Sequence, residues 1–148
     1  MKKIILILLL AVNLFGEINN DKKDILIIGH RGAAGHAPEN TIESIQLAIE
    51  LGANAVEIDL RQTKDEIPVA IHDADVQRTT NGCGNVSDYS FSELKKIDAG
   101  SWFHEKFSGV KIPSLEEIIK TMQYSLKSIG TNLILIIEFN RNTLGWEL

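Results

Sequence analysis

At 148 residues, 44% hydrophobic and 24% charged, the chain can bury one ordinary core and is too apolar to be disordered by composition. Its formal net charge of −5 argues against nucleic acid as a partner, because neutralising phosphates takes a basic face and its Lys and Arg residues form no long cluster. A single cysteine, Cys83, excludes an internal disulfide and leaves packing or a bound metal to stabilise the fold.

Met1-Lys2-Lys3 and the apolar run Ile4 to Val12 read as a secretory signal peptide over residues 1–17, with cleavage around Gly16 to Ile18. The run is too short to span a bilayer comfortably, so the expectation is an exported protein, periplasmic or extracellular, with no stable membrane span after cleavage. A buried N-terminal strand or helix is the competing reading.

Ile25 to Ile28 predicts a first strand that breaks into the glycine-rich loop Gly29-His30-Arg31-Gly32. A helix follows, with Asn40 as N-cap, Glu43 three residues on, an apolar face from Ile42 to Ile49, and Gly52 just past its end. The second strand, Ala55 to Leu60, has a period of two that sets Glu57 and Asp59 on one face and Val56, Ile58 and Leu60 on the other. Two carboxylates side by side repel unless one is protonated or a cation lies between them.

Asp65 to Pro68 turns the chain into a third strand, Val69 to His72, which ends on His72-Asp73; the link is of hairpin length and allows local antiparallel pairing before the strand joins the sheet. From about 75 to 112 the pattern loosens into an excursion around one short helix begun by the capping box Ser90 to Glu93, and Cys83 sits there in turn chemistry. Pro113 to Glu117 opens a second helix running through about Ile129, with Leu115, Ile118, Ile119, Met122 and Leu126 at helical spacing. Gly130 stops it, and Leu133 to Ile137 is the fourth strand, closed by Glu138.

Four segments thus run apolar and end on groups that bind metal or move protons. Strands of that kind belong to parallel sheets covered on both faces, with chemistry at their carboxyl ends. Polar groups ending several strands meet at one point only where the strands curve around a common axis. The predicted fold is therefore α/β, of the TIM (β/α)8-barrel type, with about the first four β/α units and a small insertion after strand three.

His30-Arg31-Gly32, Pro38-Glu39-Asn40-Thr41, Glu57-Ile58-Asp59, His72-Asp73 and Thr79-Thr80-Asn81-Gly82, in that order, resemble the glycerophosphodiester phosphodiesterase family. Val86-Ser87-Asp88, Asp98-Ala99-Gly100 and Ile112 to Glu117 are similar to the same family's insertion and following helix. The likeness runs from about Ile25 to Glu138, which makes 24–148 a partial domain of that kind.

The resemblance implies that Glu57, Asp59 and Glu138 bind one divalent cation, magnesium or calcium, which suits an all-oxygen donor set. It implies His30 and His72 as acid and base of phosphodiester cleavage, the assignment between them open, and Arg31 as a clamp on phosphate oxygens. Arg31 has a plainer alternative, a salt bridge to Glu39 or Asp73. His36 and His104 read as surface residues, and Trp102, Phe103 and Phe107 as pins that hold the excursion down. The implied substrate is a glycerophosphodiester, cleaved to glycerol 3-phosphate and an alcohol.

Where the family carries a Lys two residues after its last metal-binding Glu, this chain has Asn140. Eight strands take about 250 residues, so the chain is expected to be a truncated form whose first and last strands are open edges, a route to self-association. An inactive barrel fragment and a related phospholipase-type phosphodiesterase of the same fold are the rival readings.

Overall fold

The computed structural model describes residues 4–8, 25–129 and 133–139. Five strands form one mixed sheet: β1 (Ile4–Leu8), β2 (Ile28–His30), β3 (Ala55–Gln62), β4 (Pro68–Ala70) and β5 (Ile134–Phe139). The order is β1-β5-β3-β2, with β4 attached to β3. β3 pairs in parallel with β2 on one side and β5 on the other, the connections running through α1 (Ile42–Glu50) and α3 (Leu115–Ile129). Strand, helix, strand with parallel pairing is the β/α repeat expected from the sequence.

The count of units differs from that expectation. The third segment pairs antiparallel with β3, Leu60 opposite Ala70 and Gln62 opposite Pro68, so it is the return arm of a hairpin. Glu66, at φ 64°, makes the turn, and a link this short can only reverse the chain. Three parallel strands, not four, are present among the described residues.

β5 is not an open edge either. Ile4–Leu8, inside the segment read as a signal peptide, pairs antiparallel along its outer side. The cleavage region, Asn140 and the chain's last residues lie outside the described residues.

The main core is the layer between sheet and helices. Val56, Ile58 and Leu60 of β3 and Leu135 and Ile137 of β5 pack with Ile45 and Ala48 of α1 and with Ile118 and Met122 of α3. α3 matches its predicted span, and its capping box is present: Ser114 Oγ accepts from Glu117 N–H, and Glu117 Oε2 from Ser114 N–H. The excursion has a core of its own, in which Val69 and Ile71 of the hairpin arm pack with Val76, Val86, Leu94, Ala99 and Ile112. It therefore sits on the strand that ends at His72. Its helix, α2 (Phe91–Leu94), carries the complete capping box on Ser90 and Glu93.

α1 starts one residue later than predicted. Thr41, not Asn40, is the N-cap, its hydroxyl accepting from Ser44 N–H at 3.2 Å. Gly52 ends the helix at φ 94°, as the sequence implied. No helix among the described residues is long and apolar enough to cross a membrane.

Candidate active site

Register explains why the polar strand ends converge. His30 of β2 lies opposite Glu57 of β3, and Asp59 of β3 lies opposite Glu138 of β5. Glu57 and Asp59 are two residues apart, so they share the face of β3 turned away from the helices. One carboxylate oxygen from each of Glu57, Asp59 and Glu138 lies within 4.8 Å of the other two. Three negative groups that close need a cation or a proton. Burial pushes the Glu57 carboxyl above its usual range, and the charges of Asp59 and Glu138 add to the effect. Its Oε1 is buried without a hydrogen-bond partner. An orphaned carboxylate oxygen facing two further carboxylates is a donor set that fits a hard divalent cation.

The other Glu57 oxygen is occupied. Oε2 accepts the backbone N–H of Arg31 at 2.9 Å, and His30 Nε2 is 3.9 Å away. The local chain is bent for this contact: Arg31 and Gly32 both have positive φ, 53° and 79°. Gly32 cannot be replaced cheaply, because a Cβ there would stand 2.1 Å from Ser44 Oγ. His30 itself is largely exposed, at the mouth of the site.

Arg31 is tied back to the protein. Its Nη1 donates to Glu39 Oε1 at 2.9 Å, and its Nε stands 3.0 Å from Asp59 Oδ2, a charge contact lacking hydrogen-bond alignment. The salt bridge to Glu39, the plainer alternative for this residue, is thus formed. Its guanidinium nevertheless lies beside the carboxylate group.

His72 approaches from the hairpin arm. Ile71 N–H donates to the Asp59 carbonyl, which docks this arm on the end of β3 that carries the carboxylates. The His72 carbonyl accepts from Arg61 Nε and Nη2 at 3.0 and 2.7 Å. Its ring Nδ1 is 2.8 Å from Asp73 Oδ1. Asp73 in turn accepts from Arg78 Nε, and Arg78 donates both Nη groups to Glu39 at 2.7 and 2.9 Å. Burial alone would raise the Asp73 and Glu39 carboxyls; hydrogen bonds and charge from His72 and Arg78 on one, and from Arg78 and Arg31 on the other, hold both below their ordinary values. A continuous run of charged contacts therefore links His72 to Asp59: Asp73, Arg78, Glu39, Arg31.

The Glycerophosphoryl diester phosphodiesterase family matches residues 30–143, a stretch that contains every group just described. The chain belongs to that family. A glycerophosphodiester phosphodiesterase of Caldanaerobacter subterraneus subsp. tengcongensis is 50% identical over 95 residues, 64% of this chain and 39% of the relative. YhdW of Bacillus subtilis (strain 168) is 52% identical over 121 residues, 82% of this chain and 48% of that protein. Among solved structures, an Oleispira antarctica phosphodiesterase in complex with the product sn-glycerol-3-phosphate is 38% identical and superposes with a TM-score of 0.70, over 80% of this chain and 46% of that one. The chain spans about half the length, or less, of the relatives it matches.

The glycerophosphodiester phosphodiesterase motifs include residues whose work was not anticipated. Asn40, read as a helix cap, is buried at φ 58° and turns away from the helix. Its Nδ2 donates to Asp59 Oδ2 at 3.0 Å and its Oδ1 accepts Asp59 N–H at 3.1 Å, so it fixes both the backbone and the carboxylate of Asp59. Arg61 continues the polar face of β3, and its position two beyond Asp59 was the signal. Glu39 was named as a salt-bridge partner for Arg31, but Arg78 carried no signal of its own, since its contact with Glu39 spans 39 residues of sequence. His36 and His104 are exposed, as expected, and His104 Nδ1 caps a short turn by accepting Lys106 N–H.

Proposed function

We propose that this chain contributes the cation-binding and acid–base half of a glycerophosphodiester phosphodiesterase, hydrolysing glycerophosphodiesters to glycerol 3-phosphate and an alcohol. The observation that carries the reading is the trio of carboxylates from β3 and β5, with His30 in register beside one of them and His72 docked on the strand that bears two. Glu57, Asp59 and Glu138 hold the cation. When bound, it supplies positive charge that polarises the phosphoryl group.

The rest is done by this chain's own side chains. One imidazole takes the proton of the substrate's own glycerol hydroxyl as its oxygen bonds to phosphorus, the P–O bond to the head-group alcohol breaks, and the other imidazole gives a proton to the departing oxygen; a water then adds to the cyclic phosphate and opens one of its P–O bonds, the imidazoles exchanging roles, to leave glycerol 3-phosphate. Arg31, held at the trio by Glu39 and Asp59, offers a fixed positive charge to the phosphate oxygens. Removing either imidazole is expected to cost about 10²- to 10⁴-fold in rate.

The test uses the full chain loaded with magnesium or calcium and a glycerophosphodiester. Release of glycerol 3-phosphate, abolished by chelator and by His30→Ala, supports the reading. No release above blank from folded, cation-loaded protein sinks it.

A second reading, a cation-binding but non-catalytic fragment, draws on a different observation. β2 ends the sheet order, and Ile25, Leu26, Ile27 and Ile28 beside it are exposed, Ile25 at 78%. An apolar edge with no strand beside it among the described residues invites pairing with a second copy. Cation binding without hydrolysis, together with association that Ile27→Lys abolishes, would favour it.

Export is proposed from the Lys-flanked apolar start of the chain. N-terminal sequencing of protein recovered from outside the cytoplasm tests it: an intact Met1 would count against cleavage.

A further inference from the structure

Arg78 stands outside the cation-binding trio, yet it is the joint between two loops that carry proposed catalytic groups. Nε holds Asp73, on the arm that ends at His72; both Nη groups hold Glu39, on the loop that restrains Arg31. We propose that Arg78 is a positioning residue: by clamping Asp73 against Glu39 it fixes the proton of His72 on Nδ1 and reserves Nε2 for proton transfer. This rests on the reading of His72 as an acid or base.

The argument follows donor inventory. A carboxylate gripped by a guanidinium is ionised and accepts only. The 2.8 Å contact between His72 Nδ1 and Asp73 Oδ1 must then be an N–H from the ring. A neutral imidazole with its proton on Nδ1 carries its lone pair on Nε2, and the partner of one nitrogen sets the state of the other. Asp73 has a single-bond axis about which its carboxylate turns. With one oxygen on His72 and the other on Arg78, that rotation is stopped. Arg78 is restrained in turn by two hydrogen bonds to Glu39, so the ring is referenced to the same loop that holds Arg31 and, through Asn40, Asp59. Arg61 fixes the backbone of His72 independently, through its carbonyl, so loss of Arg78 leaves the arm docked and frees only the ring.

The tautomer is read directly by long-range ¹H–¹⁵N correlation on the full chain carrying ¹⁵N-histidine, at about pH 8 where an ordinary imidazole is neutral. The four histidines are assigned by single substitutions. In the native chain His72 should show a protonated Nδ1 and an unprotonated Nε2. Arg78→Ala should move Nδ1 toward the unprotonated resonance as the ring averages over both tautomers, and Arg78→Lys should restore part of the native signature. Asp73→Asn, whose amide can donate to the ring, should invert the tautomer.

A native ring protonated on Nε2 overturns the proposal, and so does an Arg78→Ala chain with the native His72 signature. Should Arg78→Ala not fold, Asp73→Asn decides: an unchanged tautomer there also overturns it. The measurement involves no turnover. A tautomer that responds to Arg78 in a chain that never hydrolyses a glycerophosphodiester would leave the positioning role standing and remove the proposed function.

Discussion

Asn40 illustrates how one buried amide can govern a charged site. It satisfies the backbone N–H of Asp59 and one of its carboxylate oxygens at once, leaving the other oxygen for the proposed cation. Asn40→Ala is expected to destabilise the chain by about 1–3 kcal/mol, the cost of leaving buried polar groups without partners. It should also weaken cation binding, because Asp59 then rotates freely. Asn40→Asp should be worse on both counts, since it sets a fourth carboxylate against the trio. Urea midpoints and calcium titrations of the two variants check this; a fully native Asn40→Ala would show that water replaces the amide at no cost. Glu57 and Asp59 were legible from alternation alone, because a strand's period of two leaves only one arrangement for them. The role of Asn40 was not, because Asn before Thr-Ile-Glu-Ser has the chemistry of a helix cap. Thr41 takes the cap, which frees the Asn40 side chain to reach a strand 19 residues away.

Among the elements, the hairpin arm and its excursion behave as one piece. Asp98 ties the excursion's loops together: its carboxylate accepts the N–H groups of Ser101, Gly109 and Gly100. These hydrogen bonds, led by Ser101 and Gly109, hold its carboxyl well below the ordinary value of 3.8. A lowered folded-state value means that the unfolded chain binds the proton first on acidification. The stabilisation is therefore complete above about pH 4 and is lost as pH falls toward the folded-state value. Asp98→Asn should lower stability at neutral pH and flatten the acid limb of a stability–pH curve between about pH 4 and pH 2. Equal slopes in both proteins over that window would sink the assignment. α3 answers to packing instead. Met122 is fully buried between the sheet and the helices, and Met122→Ala should cost about 2–5 kcal/mol at any pH, read as a shift of the denaturation midpoint with unchanged slope. The helices were legible because capping boxes and 3.6-residue spacing are local. The return arm was legible only in part: the short link after β3 pointed to local antiparallel pairing, but Val69 to His72 is as apolar as a parallel core strand and was therefore counted as one.

At the scale of the whole molecule, the cation site joins the sheet across its middle. Glu57 and Asp59 come from β3 and Glu138 from β5, so a bound ion would hold together strands separated in sequence by β4, the excursion and α3. Without an ion the three carboxylates repel one another, and Glu57 carries the added cost of burial. Anything that binds the folded chain alone stabilises it by mass action, about 2.7 kcal/mol at one hundred times the dissociation constant. For a domain of this size that is a rise of roughly 5 to 11 °C in melting temperature. Adding calcium or magnesium to chelator-treated protein should therefore raise the unfolding temperature in a saturable, concentration-dependent way, and Asp59→Asn or Glu57→Gln should abolish the rise. Relief of repulsion also predicts the sign of the substitutions in chelator: Glu57→Gln removes one buried charge and should melt no lower than the parent there, while melting lower once the ion is present. Two curves that cross in this manner cannot come from a residue that merely packs. A Glu57→Gln chain that melts lower by the same amount with and without the cation would mean that the carboxylates serve the fold and hold no ion.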